Sequence, residues 1–214
     1  MANSGIKVML VDDHAVVRMG FKLLLQGSDD IHVVAEAESG EEAIKRYPEI
    51  KPDVVVMDVS MPGIGGLEAV SRLLAKDPSA KILILSAHED SSHPKRLLKA
   101  GAVGYLSKRS AAEELMQAIR HVAAGKTFLD SKLAQAMAVQ HLTGEQSPVE
   151  VLSDREFEVF MLLAKGQSVA QIAEKLFLSP RTVGTHLYNV KQKLNAANSA
   201  EITLIAMRNG LLDQ

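Results

Sequence analysis

The chain has 214 residues, of which 47% are hydrophobic and 23% are charged, and this composition is typical of a globular protein with one or two domains. It contains no cysteine, which excludes disulfide scaffolds, cysteine-ligated zinc and thiol catalysis. The formal net charge of −2 hides a stretch without acids that contains the basic residues Lys175, Arg181, Lys191 and Lys193. No apolar run reaches the roughly 18 residues of a membrane span, and the N-terminus turns acidic where a signal peptide is apolar. We therefore expect a soluble cytoplasmic protein with no membrane contact and a local nucleic-acid surface.

The first 124 residues alternate between short apolar runs and amphipathic stretches. Strands are predicted at residues 7–11, 33–35, 54–57, 82–85 and 103–106, and helices at 15–26, 40–47, 66–76, 91–100 and 111–124. The third and fourth strands are continuously apolar, which indicates burial on both faces. Pro94 weakens the fourth helix unless it lies in the first turn. The alternation predicts an α/β domain over residues 1–124, with a doubly wound, five-stranded parallel sheet of the flavodoxin-like kind.

The pattern changes after this domain. Residues 131–142 have helical spacing and residues 143–148 have linker composition, so residues 125–150 are interpreted as an interdomain linker containing a helix. Residues 151–214 are helical throughout, and their helix starts are marked by the capping residues Ser153, Ser168, Ser179 and Asn198. This predicts a second, smaller all-α domain of four helices.

Five polar residues follow the ends of the predicted strands. Asp12 and Asp13 follow the first strand, Asp58 ends the third, Ser86 ends the fourth and Lys108 follows the fifth. These positions share the carboxyl edge of a parallel sheet, where ligands bind in open α/β folds. Three carboxylates brought together need a cation, and oxygen ligands favour Mg²⁺. Each residue alone is weak evidence, but the set predicts that Asp58 is a nucleophile for phosphoryl transfer.

Within the second domain, residues 168–194 read as two helices joined by a short turn, which is a helix-turn-helix arrangement. On the second helix, helical spacing places four apolar residues toward the core: Val183, Leu187, Val190 and Leu194. The predicted DNA-facing set combines small, hydrogen-bonding and basic residues, namely Arg181, Thr182, Gly184, Thr185, Tyr188, Lys191 and Lys193. From this pattern alone, an exposed amphipathic helix in an unrelated bundle remains an alternative.

The motifs of the first domain resemble those of two-component response regulator receivers. The matching segments are VDDH (11–14), DVSMPGIGG (58–66), the Ser86-Ala87 pair and GYLSK (104–108). The resemblance implies that Asp58 is the phosphoacceptor, that Asp12 and Asp13 complete the Mg²⁺ site and that Lys108 binds phosphate. It also implies that Ser86 and Tyr105 are the switch residues. One position departs from the family pattern, because Arg109 stands where receivers often have proline.

Residues 152–194 resemble the LuxR-type DNA-binding domain, and the two halves together resemble a NarL/FixJ-type response regulator. This resemblance assigns residues 169–176 to the scaffold helix and residues 180–194 to the recognition helix. Gly184, Thr185 and Tyr188 match positions that reach bases. The implied partners are a sensor histidine kinase, double-stranded DNA and a second copy of the chain after phosphorylation, through the last helix, 198–208. The implied protein is a transcription factor and not an enzyme.

Three other functions are compatible with parts of the pattern. A Mg²⁺-dependent aspartyl-phosphate phosphatase uses similar carboxylates, but its nucleophile lies in a D-x-D motif after the first strand, where this chain has adjacent acids. A flavodoxin-type flavin carrier needs a phosphate cradle in place of Asp12-Asp13-His14. A ligand-sensing regulator is disfavoured, because its sensor half should lack the three acidic residues Asp12, Asp13 and Asp58.

Overall fold

The computed structural model describes residues 5–86, 92–110, 112–131, 133–135, 137–138, 148–209 and 211–212. The chain separates into two compact units, the first within residues 1–133 and the second mainly within residues 134–214. The first unit is a parallel sheet with helices between its strands, and the second is helical. The predicted fold class is therefore confirmed.

The sheet of the first unit is entirely parallel. Its strands are β1 (Ile6–Val11), β2 (Ile31–Ala37), β3 (Val54–Asp58), β4 (Ile82–Ser86), β5 (Gly104–Ser107) and β6 (Phe128–Leu129). They lie in the order β2-β1-β3-β4-β5-β6, so the chain reverses direction across the sheet after β2. Every residue of β3 and β4 is buried, as their continuous apolar runs predict. The reversal places the ends of β1 and β3 side by side at the carboxyl edge.

Five helices connect these strands. They are α1 (Ala15–Gln26), α2 (Gly40–Ile50), α3 (Gly65–Lys76), α4 (Ser92–Lys99) and α5 (Ala112–Ala123). Pro94 lies in the first turn of α4, where its missing N–H costs no helical hydrogen bond. Helix α2 differs from the prediction, because it continues past Pro48 to Ile50 and ends at Lys51 in the left-handed conformation. Pro48 therefore lies within the last turn of α2, and the helix does not stop before it.

The sheet has six strands and not the five predicted. Strand β6 pairs with β5 through Gly104↔Phe128 and Tyr105↔Leu129. It has only two residues, which is too short for an alternating pattern to be visible in the sequence. The first unit thus extends beyond residue 124 into the segment that was predicted to be linker.

The second unit begins with a 3₁₀ turn, Pro148–Val151, followed by α6 (Asp154–Ala164), α7 (Val169–Lys175), α8 (Pro180–Leu194) and α9 (Ser199–Arg208). Each of the four helices begins at the capping residue that the sequence predicts, because the side chains of Ser153, Ser168, Ser179 and Asn198 accept backbone N–H bonds. The first two are complete capping boxes. Local hydrogen bonding therefore determines where these helices start.

The core of the second unit lies between its helices. Phe157 and Phe160 of α6 are fully buried and stacked, with ring centroids 6.0 Å apart. From α8, Val183 and Val190 are fully buried, and Leu187 and Leu194 pack against the same cluster, as predicted.

Residues 131, 133–135 and 137–138 are helical, which agrees with the predicted linker helix over the residues described. The other residues for which that helix is predicted, the linker residues 143–147 and Ala87 lie outside the described residues.

Candidate functional sites

An acidic cluster lies at the carboxyl edge of the sheet, where β1 and β3 end. The Nζ of Lys108 is 2.6 Å from Oδ2 of Asp12 and 2.9 Å from Oδ2 of Asp58. Both carboxylates are buried, and Asp58 is only 2% exposed. Lys108 follows β5, so its side chain joins residues that are far apart in sequence. The structure thus brings together three of the residues that the sequence places at this edge.

The backbone around Asp58 is held closely against the start of α3. A Cβ atom on Gly66 would lie 2.6 Å from the carbonyl oxygen of Asp58 and 2.6 Å from the Cα of Val59, so only glycine fits. Gly65 has φ +72°, a left-handed conformation that glycine adopts without steric cost. The Oδ1 of Asp58 accepts the N–H of Ser60 at 3.2 Å. The glycines of the 58–66 motif therefore bring α3 to the candidate nucleophile.

The charges in this cluster depend on one another. Burial raises the pKa of the Asp58 carboxyl, and the neighbouring Lys108 only partly offsets this effect. Burial by itself lowers the pKa of Lys108, but the carboxylates of Asp12 and Asp58 raise it above its usual value. The ammonium group is therefore held in its charged form between two carboxylates, one of which resists ionisation.

The ligand atoms of a cation site are present in the same place. Asp12, Asp13, His14 and Asp58 each offer one atom, and these atoms lie within 4.8 Å of one another. Oδ1 of Asp13 is buried and makes no hydrogen bond, although Nδ1 of His14 lies 2.9 Å from it. An unsatisfied buried carboxylate oxygen among other carboxylates suits a hard divalent cation such as Mg²⁺. The residues present thus fit the expected ion, and His14, which was not among the predicted ligands, lies in the same cluster.

The two predicted switch residues, Ser86 and Tyr105, are both buried, at 1% and 2% exposure. They lie on neighbouring strands, and the N–H of Lys108 donates to the carbonyl of Ser86 at 2.7 Å. The Tyr105 ring is thus packed inside the unit in this structure.

Arg109 stands in the loop after Lys108, where many receivers have proline. The described peptide bonds, including the one after Lys108, are trans. The N–H of Arg109 donates to Oγ of Ser107 at 3.2 Å, which is a bond that proline has no hydrogen to make. The loop after Lys108 is therefore held by a hydrogen bond in place of the proline ring.

The second candidate site is the outer face of α8. Arg181, Thr182, Thr185 and Tyr188 are exposed, and Tyr188 keeps 64% of its surface in solvent. A Cβ on Gly184 would meet no atom within 4 Å, so the middle of this face is open. Oγ1 of Thr185 donates to the carbonyl of Arg181 at 3.1 Å. The predicted base-reading residues thus form one accessible strip.

The two lysines at the end of α8 differ. Lys191 is partly buried and has no ion pair among the described residues, whereas Nζ of Lys193 lies 2.6 Å from Oε2 of Glu156. Glu156 is buried and also accepts the N–H of Ser153 in the capping box. Burial would raise the pKa of Glu156, but Lys193 and Ser153 hold it below its usual value. Lys193 therefore has a structural partner within the second unit, which the sequence did not indicate.

Comparisons with known proteins agree with this geometry. A family model described as a response regulator receiver domain matches residues 8–120, and one described as bacterial regulatory proteins of the luxR family matches residues 150–206. The response regulator GacA of Pseudomonas aeruginosa is 42% identical over 210 residues, which cover 97% of this chain and 98% of that protein. The chain is a NarL/FixJ-type response regulator.

Further relatives support the assignment of this chain to the response regulators. UvrY of Escherichia coli is 43% identical over 208 residues, covering 96% of this chain and 95% of that protein. A solved complex of the response regulator RcsB with DNA has a TM-score of 0.61 and 25% identity, over 95% of this chain and 98% of that one. The match to both domains favours a transcription factor over a phosphatase, a flavin carrier or a ligand-sensing regulator. The family is one of transcription regulators and not of enzymes.

Among the residues described for this response regulator, no helix is long and apolar enough to cross a membrane. The sequence also left one residue unnoticed, Arg18, which is buried in α1. Its spacing to Phe21 and Leu25 places a basic residue on the apolar face of an amphipathic helix. That mismatch between residue type and position is a signal that could have revealed it.

Proposed function

We propose that this response regulator accepts a phosphoryl group on Asp58 from a phosphohistidine of a sensor kinase. The observation that carries the proposal is the arrangement of Asp12, Asp58 and Lys108 at one sheet edge, with Lys108 Nζ within 2.9 Å of the Asp58 carboxylate. A carboxylate oxygen of Asp58 attacks phosphorus, an O–P bond forms and the P–N bond to the imidazole breaks, leaving the histidine nitrogen with the electron pair. Asp58 becomes an acyl phosphate and no group is lost from this chain.

Two kinds of positive charge serve the transfer. Asp12, Asp13 and Asp58 would hold Mg²⁺, which neutralises charge on a phosphoryl group when bound. Lys108 is already placed at the Asp58 carboxylate, and its ammonium can move to a phosphoryl oxygen, which carries more charge than the carboxylate oxygen it leaves. Ser86, at the end of β4, supplies a hydroxyl on the same edge. The transfer thus replaces one set of charge-assisted hydrogen bonds by a stronger one.

We further propose that phosphorylation favours a homodimer that binds promoter DNA in the cytoplasm. The support is the exposed strip of α8 and the RcsB–DNA complex, which covers most of this chain's length. Arg181 and Lys191 neutralise backbone phosphates, while Thr185 and Tyr188 reach base edges, with Thr182 and Gly184 completing the contact face. One helix covers few base pairs, so two copies reading two half-sites provide the selectivity.

The substitution Asp58→Asn tests the phosphoacceptor. We expect it to abolish hydroxylamine-sensitive labelling of the full chain by a phosphorylated kinase in Mg²⁺, because the amide is a poor nucleophile. Asp12 and Asp13 serve as ligands of the proposed cation site, and the remaining aspartates that the structure describes lie outside the cluster. Asp53→Asn is the matched control, since Asp53 lies before β3, is exposed and accepts the N–H of Lys7. Full labelling of the Asp58→Asn chain would refute the assignment.

A further inference from the structure

Among the residues that the structure describes, Arg18 is the one basic residue that is buried. Burying a guanidinium is costly unless each of its donors finds an acceptor. Arg18 lies in the first turn of α1, close to the acidic cluster in sequence, but it contacts none of the cluster's carboxylate oxygens in the described hydrogen bonds. Its role must follow from the groups that it does contact.

Arg18 joins the end of β1 to β2. Its NH1 donates to the backbone carbonyl of Asp12 at 2.6 Å, its Nε to Glu36 at 3.3 Å and its NH2 to Glu38 at 2.8 Å. Three separate acceptors are thus reached by one planar group whose donors point in fixed directions. The two glutamates anchor the guanidinium, and the guanidinium in turn fixes the carbonyl oxygen of Asp12.

That carbonyl belongs to the peptide between Asp12 and Asp13. Asp12 is also held through its own N–H to Ala37 and through its carboxylate to His14 N–H and Lys108 Nζ. None of these other bonds acts on the Asp12–Asp13 peptide plane. Because that plane is rigid, the position of its oxygen determines the direction in which the chain continues to Asp13. Asp13, whose Oδ1 is buried and unsatisfied within the cluster, is thus the residue that follows the peptide plane held by Arg18.

The positive charge of Arg18, taken alone, would weaken the binding of a cation at the acidic cluster. A cation near a cation site lowers the affinity of that site. Here the cationic charge of Arg18 and Lys22 is balanced by Glu36 and Glu38, since Lys22 Nζ lies 2.5 Å from Glu36. The local group has two positive and two negative charges, so its net charge is zero. What Arg18 contributes is orientation.

We propose that Arg18 is a positioning residue for the divalent-cation site: it holds the Asp12–Asp13 peptide so that the carboxylates converge before any ion binds. This proposal rests on the proposed function of the acidic cluster and adds a residue from outside the cluster. It predicts that losing the guanidinium weakens cation binding first and phosphoryl transfer as a consequence.

The test uses Mn²⁺ binding to the full, unphosphorylated chain, followed by electron paramagnetic resonance, with urea unfolding measured in parallel. Arg18→Lys keeps the charge but has no planar fork, and we expect it to weaken Mn²⁺ binding by about 10-fold, the lower end of what is typical for groups that orient metal ligands. The matched control is Arg120→Lys. Arg120 also donates two hydrogen bonds to one carboxylate, with Nε and NH2 each 2.8 Å from an oxygen of Asp30. Arg120 lies in α5 and Asp30 lies in the turn before β2, so this pair is not part of the acidic cluster. We expect its Mn²⁺ affinity to be unchanged.

A second variant keeps the test decisive if Arg18→Lys does not fold. Glu38→Gln removes the charge of an anchor whose side chain is 72% exposed, so the fold should persist. It should loosen the guanidinium and weaken Mn²⁺ binding less than Arg18→Lys, in the same direction. Because it also leaves one uncompensated positive charge, the weakening is measured at high salt, which screens that charge. Unchanged or tighter Mn²⁺ binding by folded Arg18→Lys, or by Glu38→Gln when Arg18→Lys is unfolded, would overturn the proposal. Since Mn²⁺ binding needs no phosphoryl donor, labelling of Asp58→Asn would refute the proposed function separately.

Discussion

The two units place the side chains proposed to be functional in opposite environments. In the first, Asp12 and Asp58 are buried and share one lysine, whereas in the second, Arg181, Thr185 and Tyr188 are exposed along α8. Burial couples the charges of the first site, so that changing one group alters the others. Exposure leaves the residues of the second site nearly independent. Chemistry at a single oxygen atom needs the first arrangement, and recognition of a long polymer needs the second.

Lys108→Met should have the largest effect, because it leaves two buried carboxylates without their shared cation. We expect the free energy of unfolding of the full chain to fall by about 3 kcal/mol in the absence of divalent ions. Mg²⁺ should recover part of this loss. Urea unfolding with and without Mg²⁺ measures both effects, and Lys126→Met, at an exposed lysine in the turn after α5, is the control. Equal stability of the two variants would show that the buried charges are not coupled as described.

Glycine-to-alanine changes contrast the two units directly. Gly66→Ala should destabilise the chain by about 2 kcal/mol, because the added methyl group meets the backbone of Asp58 and Val59 at 2.6 Å. Gly184→Ala has open space around it in the middle of α8, so it should stabilise the chain by about 0.5–1 kcal/mol through helix propensity. Urea unfolding of both variants gives the sign. Two changes of the same sign would contradict the contrast between a packed and an open site.

Thr185→Ala and Tyr188→Ala test whether the exposed residues act independently. Each should reduce the discrimination between specific and random DNA by about 1–3 kcal/mol, because base contacts carry the sequence information. The dependence of affinity on salt should hardly change. Affinity measured against salt concentration for both DNA types decides this, and an unchanged specificity ratio in the double variant would show that this strip does not read bases.

The two lysines of α8 serve as controls for that measurement. Lys191→Ala should weaken binding to both DNA types alike and reduce the salt slope by roughly one, since it removes the proposed phosphate contact. Lys193→Ala should also lower the stability of the second unit, because the buried Glu156 loses its ion pair. A loss of stability in Lys191→Ala and not in Lys193→Ala would reverse their assigned roles.

The smallest expected effect is a pH dependence in the second unit. Burial lowers the pKa of His186 from 6.5, and Arg155 lowers it further while Glu156 opposes this. The folded unit therefore binds fewer protons than the unfolded chain, so this contribution to stability is complete above pH 6.5 and is lost as the pH falls through the folded pKa. Thermal unfolding of the wild type and of His186→Gln between pH 5 and pH 8 measures this contribution of His186 to stability. Their difference in stability should shrink toward low pH, and a constant difference would exclude the effect.

Much of the fold could be predicted from the sequence, because its determinants are local. The starts of the four helices depend on residues three positions apart, such as Ser153 and Glu156, and the buried face of α8 depends on 3–4 spacing. The edge of the sheet that carries Asp12 and Asp58 follows from strand order alone.

The remaining features depend on contacts between distant residues. Lys193 meets Glu156 across 37 positions, and Arg18 meets Glu38 across 20, so neither pair leaves a periodic signal. Strand β6 is defined by its partner β5 and not by its own composition. Such pairs become visible only when the backbone has brought the elements together.

Strand β6 attaches the chain that leaves the first unit to strand β5. The carbonyl of Tyr105 accepts the N–H of Asp130 at 3.2 Å, and the carboxylate of Asp130 accepts the N–H of Leu133. The backbone of a buried aromatic residue is thus tied directly to the first residues that lead toward the second unit. A displacement of β5 would change the length of the hydrogen bond between Tyr105 and Asp130. The chain that leaves the first unit is therefore attached through its backbone at residue 105, on the strand next to β4.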